Sequence, residues 1–69
     1  MTSMEAPTIA RATCVYELGQ ARHGLARHVE FMRAQTTINE GMRRYAHDYR
    51  FTIAMYEGQL ARHVYHAVR

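Results

Sequence analysis

The sequence predicts an all-α protein, an antiparallel hairpin of two helices that homodimerises into a four-helix bundle. Three observations lead to this prediction. Apolar residues recur at intervals of three and four along both halves of the 69-residue chain, which is the spacing of an amphipathic helix. The single proline, Pro7, lies near the start, so proline interrupts neither half. One central segment, residues 35–41, is rich in β-branched and turn-favouring residues, which lower helix propensity.

The first helix is expected to span about residues 7–35. Pro7 suits its first turn, because the amide hydrogen that proline lacks would have no helical partner there. Gly19 and Gly24 lie beside the apolar stripe of this helix, so a second helix could approach closely. The residues that we expect to form the stripe are Val15, Leu18, Leu25, Val29 and Met32.

A turn at about residues 36–38 is expected to separate the helices. Thr37 is followed three residues later by Glu40, the pattern of a capping box, in which each side chain binds a free amide at a helix start. We therefore expect the second helix at about residues 39–68. A turn this short makes the helices antiparallel neighbours in one domain, residues 1–69. The core stripe of the second helix comprises Tyr45, Tyr49, Ile53, Tyr56, Leu60 and Val64.

The pentapeptide LARHV occurs twice, at residues 25–29 and 60–64. In each copy leucine and valine lie four residues apart and share one helix face. The histidine, three residues after the leucine, is expected at the edge of the apolar stripe. We interpret the repeat as one packing unit used in both helices. Whether it also records a duplication stays open, because the sequences around the two copies match at differing offsets.

The second helix carries more apolar surface than one neighbouring helix can cover. A chain of this size buries only about 60% of its unfolded surface, and large exposed apolar patches mark contacts with other proteins. We therefore expect two hairpins to associate about a two-fold axis. A second face of this helix mixes aromatic residues with arginine, as binding hot spots do. Its candidate partner-binding residues are Arg44, Phe51, Met55, Arg62, Tyr65 and Arg69.

The sequence contains no pattern typical of a metal or catalytic site. His63 and His66 are three residues apart, but a structural zinc ion needs four ligands. A phosphate-binding loop and a nucleophile elbow are both absent. Cys14 lacks the sequence signatures of catalytic cysteines, and we expect it to be a small buried hydrophobe. We predict no enzyme activity, no metal and no cofactor.

Nucleic-acid binding is the alternative function. All nine basic residues are arginine, against six acidic residues, which gives a net charge of +3. Arg11, Arg22 and Arg33 recur every eleven residues and so lie on nearly the same side of the first helix, where they could follow a phosphate backbone. The mild net charge and the lack of a helix-turn-helix spacing weigh against this alternative, an arginine-rich dimer acting as a transcriptional regulator.

The sequence also bears on localisation. No apolar run approaches the roughly 20 residues of a membrane span, and the start of the chain lacks the features of a secretory signal. The single cysteine cannot form an internal disulfide and fits a reducing compartment. We expect a cytoplasmic protein with no membrane partner.

As a whole, the chain resembles the phage-encoded anti-activators of quorum sensing, which are small helical homodimers. The similarity is in length, in a two-helix layout over residues 6–36 and 37–69, and in the use of arginine in place of lysine. The resemblance implies a protein of the bacterial host cytoplasm that binds a LuxR-type transcription regulator and blocks its binding to DNA. It also implies inhibition of a type IV pilus assembly ATPase. It assigns no individual contact residue.

Overall fold

Two helices and the segment that joins them make up the described part of the chain. The structure, a computed structural model, describes the backbone of residues 9–67 and the side chains of residues 9–65. Helix α1 spans Arg11–Arg33 and helix α2 spans Glu40–Ala67, and residues 9–67 contain no strand. Ile9, just before α1, contacts His63 near the end of α2. The helices are therefore antiparallel, and the predicted all-α class is confirmed.

Helix α1 begins at Arg11, about four residues later than predicted. Ala10 has an extended ψ of 145°, and no side chain caps the helix start. The carbonyl oxygen of Ile9 lies 2.7 Å from Nε2 of His63, so it binds the other helix instead of a helical amide of α1. The late start thus coincides with a contact between Ile9 and the other helix. Pro7 lies outside the described residues.

The connection between the helices covers residues 34–39 and is longer than the predicted turn. Asn39, and not Thr37, caps α2, because its Oδ1 accepts a hydrogen bond of 2.8 Å from the amide of Met42. Asparagine is among the strongest N-caps. The predicted capping box is therefore wrong. Its second member, Glu40, instead lies 3.6 Å from Arg44 one turn along α2.

The contact between the helices follows positions that alternate four and three residues apart. This heptad spacing keeps one side of each helix against its neighbour, as in a left-handed coiled coil. Every residue at these positions is buried or half-buried. We name them the inner seam, which in α1 comprises Cys14, Leu18, Ala21, Leu25, His28 and Met32, and in α2 comprises Met42, Ala46, Tyr49, Ile53, Tyr56, Leu60 and His63.

The core stripes predicted from the sequence agree with the inner seam at most positions. Val29 is half-buried beside the seam. The prediction differs at Val15, Tyr45 and Val64, which are at least half exposed in the single chain. Cys14 and His63 occupy the seam positions next to the two valines, and selection by hydropathy alone favours valine over both. The valines and Tyr45 therefore lie outside the hairpin core, and their part in a dimer stays a prediction.

Both copies of LARHV place their histidine in the inner seam. Nε2 of His28 lies 2.9 Å from the carbonyl oxygen of Met42, and His63 makes the equivalent contact with Ile9. Because a carbonyl oxygen only accepts hydrogen bonds, both histidines donate through Nε2. Each copy therefore fastens one end of the hairpin through its histidine. The predicted packing of leucine with valine holds only in the first copy, because Val64 is 60% exposed, and the histidines lie in the seam and not at its edge.

Candidate protein-binding surface

The side of α2 that faces away from α1 carries a second stripe with heptad spacing. Seven residues make nearly two full turns of an α-helix, so the stripe keeps to one side along the helix. All of its residues are exposed. We name this stripe the outer seam, and it comprises Arg44, Asp48, Phe51, Met55, Gly58, Arg62 and Tyr65.

Large apolar side chains occupy the middle and the end of the outer seam. Phe51 is 66% exposed and Tyr65 is 57% exposed, and Met55 lies one turn after Phe51. A Cβ added at Gly58 would have no neighbouring atom within 4 Å, so the backbone is open to close approach there. The outer seam thus offers bulky anchors beside a shallow depression, a shape that suits a packed partner.

Charged residues lie among these anchors. Near the start of α2, Arg44 and Glu40 form an ion pair of 3.6 Å in which both side chains are largely exposed. A solvated pair of this kind contributes little to stability, so Arg44 can exchange its partner at low cost. Of the six predicted partner-binding residues, the structure brings Arg44, Phe51, Met55, Arg62 and Tyr65 into one stripe. Arg69 lies outside the described residues.

An aromatic cluster at the turn end of the hairpin was not predicted as a unit. The ring of His28 lies 4.8 Å from Tyr45 in an edge-to-face contact and 6.2 Å from Phe31. Tyr45 and Tyr49 have ring centroids 5.1 Å apart. The pKa of the Tyr49 hydroxyl is raised, first because of its hydrogen bond with Tyr45 and second because of desolvation. The sequence signal for this cluster is the spacing of His28 and Phe31. They are three residues apart, so their side chains lie next to each other on α1.

Gly24 makes room for this cluster. A Cβ added to Gly24 would lie 2.5 Å from Cε1 of Tyr49, far inside van der Waals contact. The ring of Tyr49 therefore rests on the backbone of α1, where any side chain would displace it. At Gly19, five residues earlier, an added Cβ would meet nothing within 4 Å. Of these two glycines, only Gly24 is required by packing.

The described residues present neither a candidate metal site nor an accessible thiol. No group of three or more His, Cys, Asp or Glu residues among them could hold a metal ion. Cys14 is fully buried, with Sγ 3.7 Å from the Ile9 carbonyl oxygen. No helix in residues 9–67 has the length and apolarity needed to cross a bilayer.

Comparison with known proteins does not assign the chain to a family. No protein-family model, no curated protein and no solved structure matches the chain.

Proposed function

We propose that this chain is a small inhibitor that binds host proteins through the outer seam of α2. The observation that carries the proposal is the exposure of Phe51, Met55 and Tyr65 in one register on a side that α1 leaves uncovered. Exposed apolar side chains aligned on one helix face are typical of protein-binding sites. Arginines at both ends of the stripe add the aromatic and arginine composition of hot spots.

The resemblance described above supplies the targets for this proposal. We propose a LuxR-type quorum-sensing transcription regulator as the main target, with its DNA binding blocked, and a type IV pilus assembly ATPase as a second. Both interactions would take place in the cytoplasm of a bacterial host. A stripe with heptad spacing suits a partner helix or a groove between helices, because apolar anchors then enter successive pockets.

The size of the anchors supports binding but also limits its strength. Full burial of one large apolar side chain contributes roughly 1.5 to 3 kcal/mol, so three anchors give on the order of 5 to 9 kcal/mol. Association itself costs an estimated 4 to 15 kcal/mol. The flanking charged residues must therefore add to affinity, and the arginines at both ends of the stripe are placed to do so.

We further propose that the hairpin acts as a homodimer. Val15 lies seven residues before Arg22, and Val64 lies seven residues after Glu57. Because Arg22 and Glu57 form a 2.6 Å ion pair across the helices, both valines lie on the edge of the hairpin that carries this pair. A second copy that covers them about a two-fold axis would complete a four-helix bundle.

The proposed function is tested by adding the purified chain to a LuxR-type regulator bound to its operator DNA. We expect the wild-type chain to release the DNA in a gel shift, and a Phe51→Ser and Met55→Ser variant to lose this effect. Tyr16→Ser is the matched control, since Tyr16 is an equally exposed aromatic residue on α1, at 63%. Equal loss in both variants, or no release by the wild type, would contradict the proposal.

Nucleic-acid binding by the same dimer is the second candidate function. It is favoured by the position of Arg43 and Arg50 on the same edge of the hairpin as Arg33, around one groove. Against it, Arg22 is paired with Glu57 at 2.6 Å, and Arg33 lies 3.6 Å from Glu30. Tight, salt-sensitive retention of generic duplex DNA would favour this candidate over protein binding.

A further inference from the structure

A groove lies between the helices at the turn end of the hairpin and has a volume of about 560 Å³. It is on the edge that carries the Arg22–Glu57 pair, because Arg50 lies seven residues before Glu57 in α2. Its volume falls within the range of clefts that bind ligands. The floor is entirely apolar and consists of Val29, Met32, Ile38 and Ala46.

The rim of the groove is positively charged. Arg33 from α1 and Arg43 and Arg50 from α2 line it, and no acidic residue does. Arg33 has only a loose, solvated contact of 3.6 Å with Glu30. Among the described residues, no carboxylate lies within ion-pair distance of Arg43 or Arg50. These guanidinium groups are therefore available to an anionic partner.

We propose that this groove binds an acidic amphipathic helix of a protein partner. The apolar floor calls for apolar side chains, because burying the floor against phosphate or sugar would leave polar groups desolvated without partners. The rim calls for carboxylates, which arginine binds with two parallel hydrogen bonds.

The spacing of the rim specifies the partner further. Arg43 and Arg50 are seven residues apart, which is about 10 Å along a helix. A partner helix lying along α2 would match them with two acidic residues that are also seven apart. Between these, its leucine-like residues would enter the floor at intervals of three and four.

A second copy of the chain is a poorer occupant than an acidic helix. A two-fold contact at the groove would bring Arg33, Arg43 and Arg50 of each copy against those of the other, and such juxtaposed like charges oppose association. The outer seam lies on another side of α2 and shares none of these residues. This inference therefore stands or falls separately from partner binding at the outer seam, whereas it competes with a dimer that buries the whole of this edge.

The test is calorimetric titration of the full chain with a synthetic helical peptide. The peptide carries leucines at i, i+3 and i+7 and glutamates seven residues apart beside them. We expect saturable binding, weakened about tenfold in an Arg43→Gln and Arg50→Gln variant, since two arginine–carboxylate pairs at the rim are lost. Ile38→Ser should also weaken binding by removing part of the floor. Arg27→Gln is the control, because Arg27 borders the aromatic cluster on the opposite edge, and it should bind as the wild type does.

Two altered peptides test the inference with the wild-type chain alone. Their result does not depend on whether a protein variant folds. Equal binding of a peptide with glutamates changed to lysines would overturn the role of the arginines. Equal binding of one with leucines changed to serines would overturn the role of the floor.

The other occupants are outcomes that also overturn the inference. Retention of duplex DNA by the wild type, lost in the arginine variant and without peptide binding, would assign the groove to nucleic acid. Dissociation of a wild-type dimer by Ile38→Ser in sedimentation would assign it to a second copy.

Discussion

The inner and outer seams of α2 have the same heptad spacing but opposite environments. Ile53 and Leu60 in the inner seam are partly covered by α1, whereas Phe51 and Met55, close by in sequence, are exposed. Spacing alone therefore does not determine which stripe is buried. The short connection lets α1 cover one side of α2 only, so the outer seam is exposed in the single chain.

An aspartate placed in each seam is expected to give the largest difference in stability between the two seams. Leu60→Asp should unfold the hairpin, because a carboxylate in the inner seam loses hydration without gaining a partner, at a cost on the order of 3 kcal/mol. Met55→Asp, in the outer seam, should keep native helicity. Circular dichroism with thermal melting measures both. Native melting of the Leu60 variant would show that the inner seam is not the core.

Alanine at the two glycines of α1 tests how closely the inner seam is packed. Gly24→Ala should destabilise the hairpin by about 1 to 3 kcal/mol, since the added methyl group displaces the ring of Tyr49. Gly19→Ala should stabilise it by up to about 1 kcal/mol through helix propensity alone. Urea unfolding of both variants gives the sign of each change in the free energy of unfolding. Stabilisation by both would mean that Tyr49 moves aside freely.

The start of α2 sets the register of both seams and gives the smallest expected effect. Asn39→Ala should cost about 1 kcal/mol, because the amide of Met42 loses its acceptor. Thr37→Ala should change stability little, since Thr37 is exposed and lies outside α2. The midpoint of urea unfolding measures both changes. A larger loss at Thr37 would restore the capping box predicted from the sequence.

Features that depend on neighbours along the chain could be predicted from the sequence. The two helices and the outer seam follow from spacing within one segment, so the sequence placed Phe51, Met55 and Tyr65 on one face. The spacing of Thr37 and Glu40 led to the wrong cap, because asparagine also binds helix amides and only the path of residues 34–39 selects Asn39.

Features that depend on contacts between the helices could not be predicted. The contact of Ile9, just before α1, is with His63, which is 54 residues away in the sequence. The arginine-rimmed groove likewise needs the relative position of the two helices, since Val29 and Arg33 come from α1 and Arg43 and Arg50 come from α2. His63 is missing from the predicted core stripe because its burial comes from position and not from hydropathy, whereas Cys14 is predicted to be buried but is not among the predicted stripe residues.

Because Cys14 is completely buried, the reactivity of its thiol measures how often the hairpin opens. It is the only thiol in the sequence, and it has no solvent-accessible surface while α1 and α2 stay together. An alkylating reagent can therefore reach it only in molecules whose packing around Cys14 has opened. When reclosing is faster than alkylation, the reaction rate relative to that of a free thiol gives the equilibrium constant for this opening. A partner that clamps the hairpin would slow this rate without touching the sulfur.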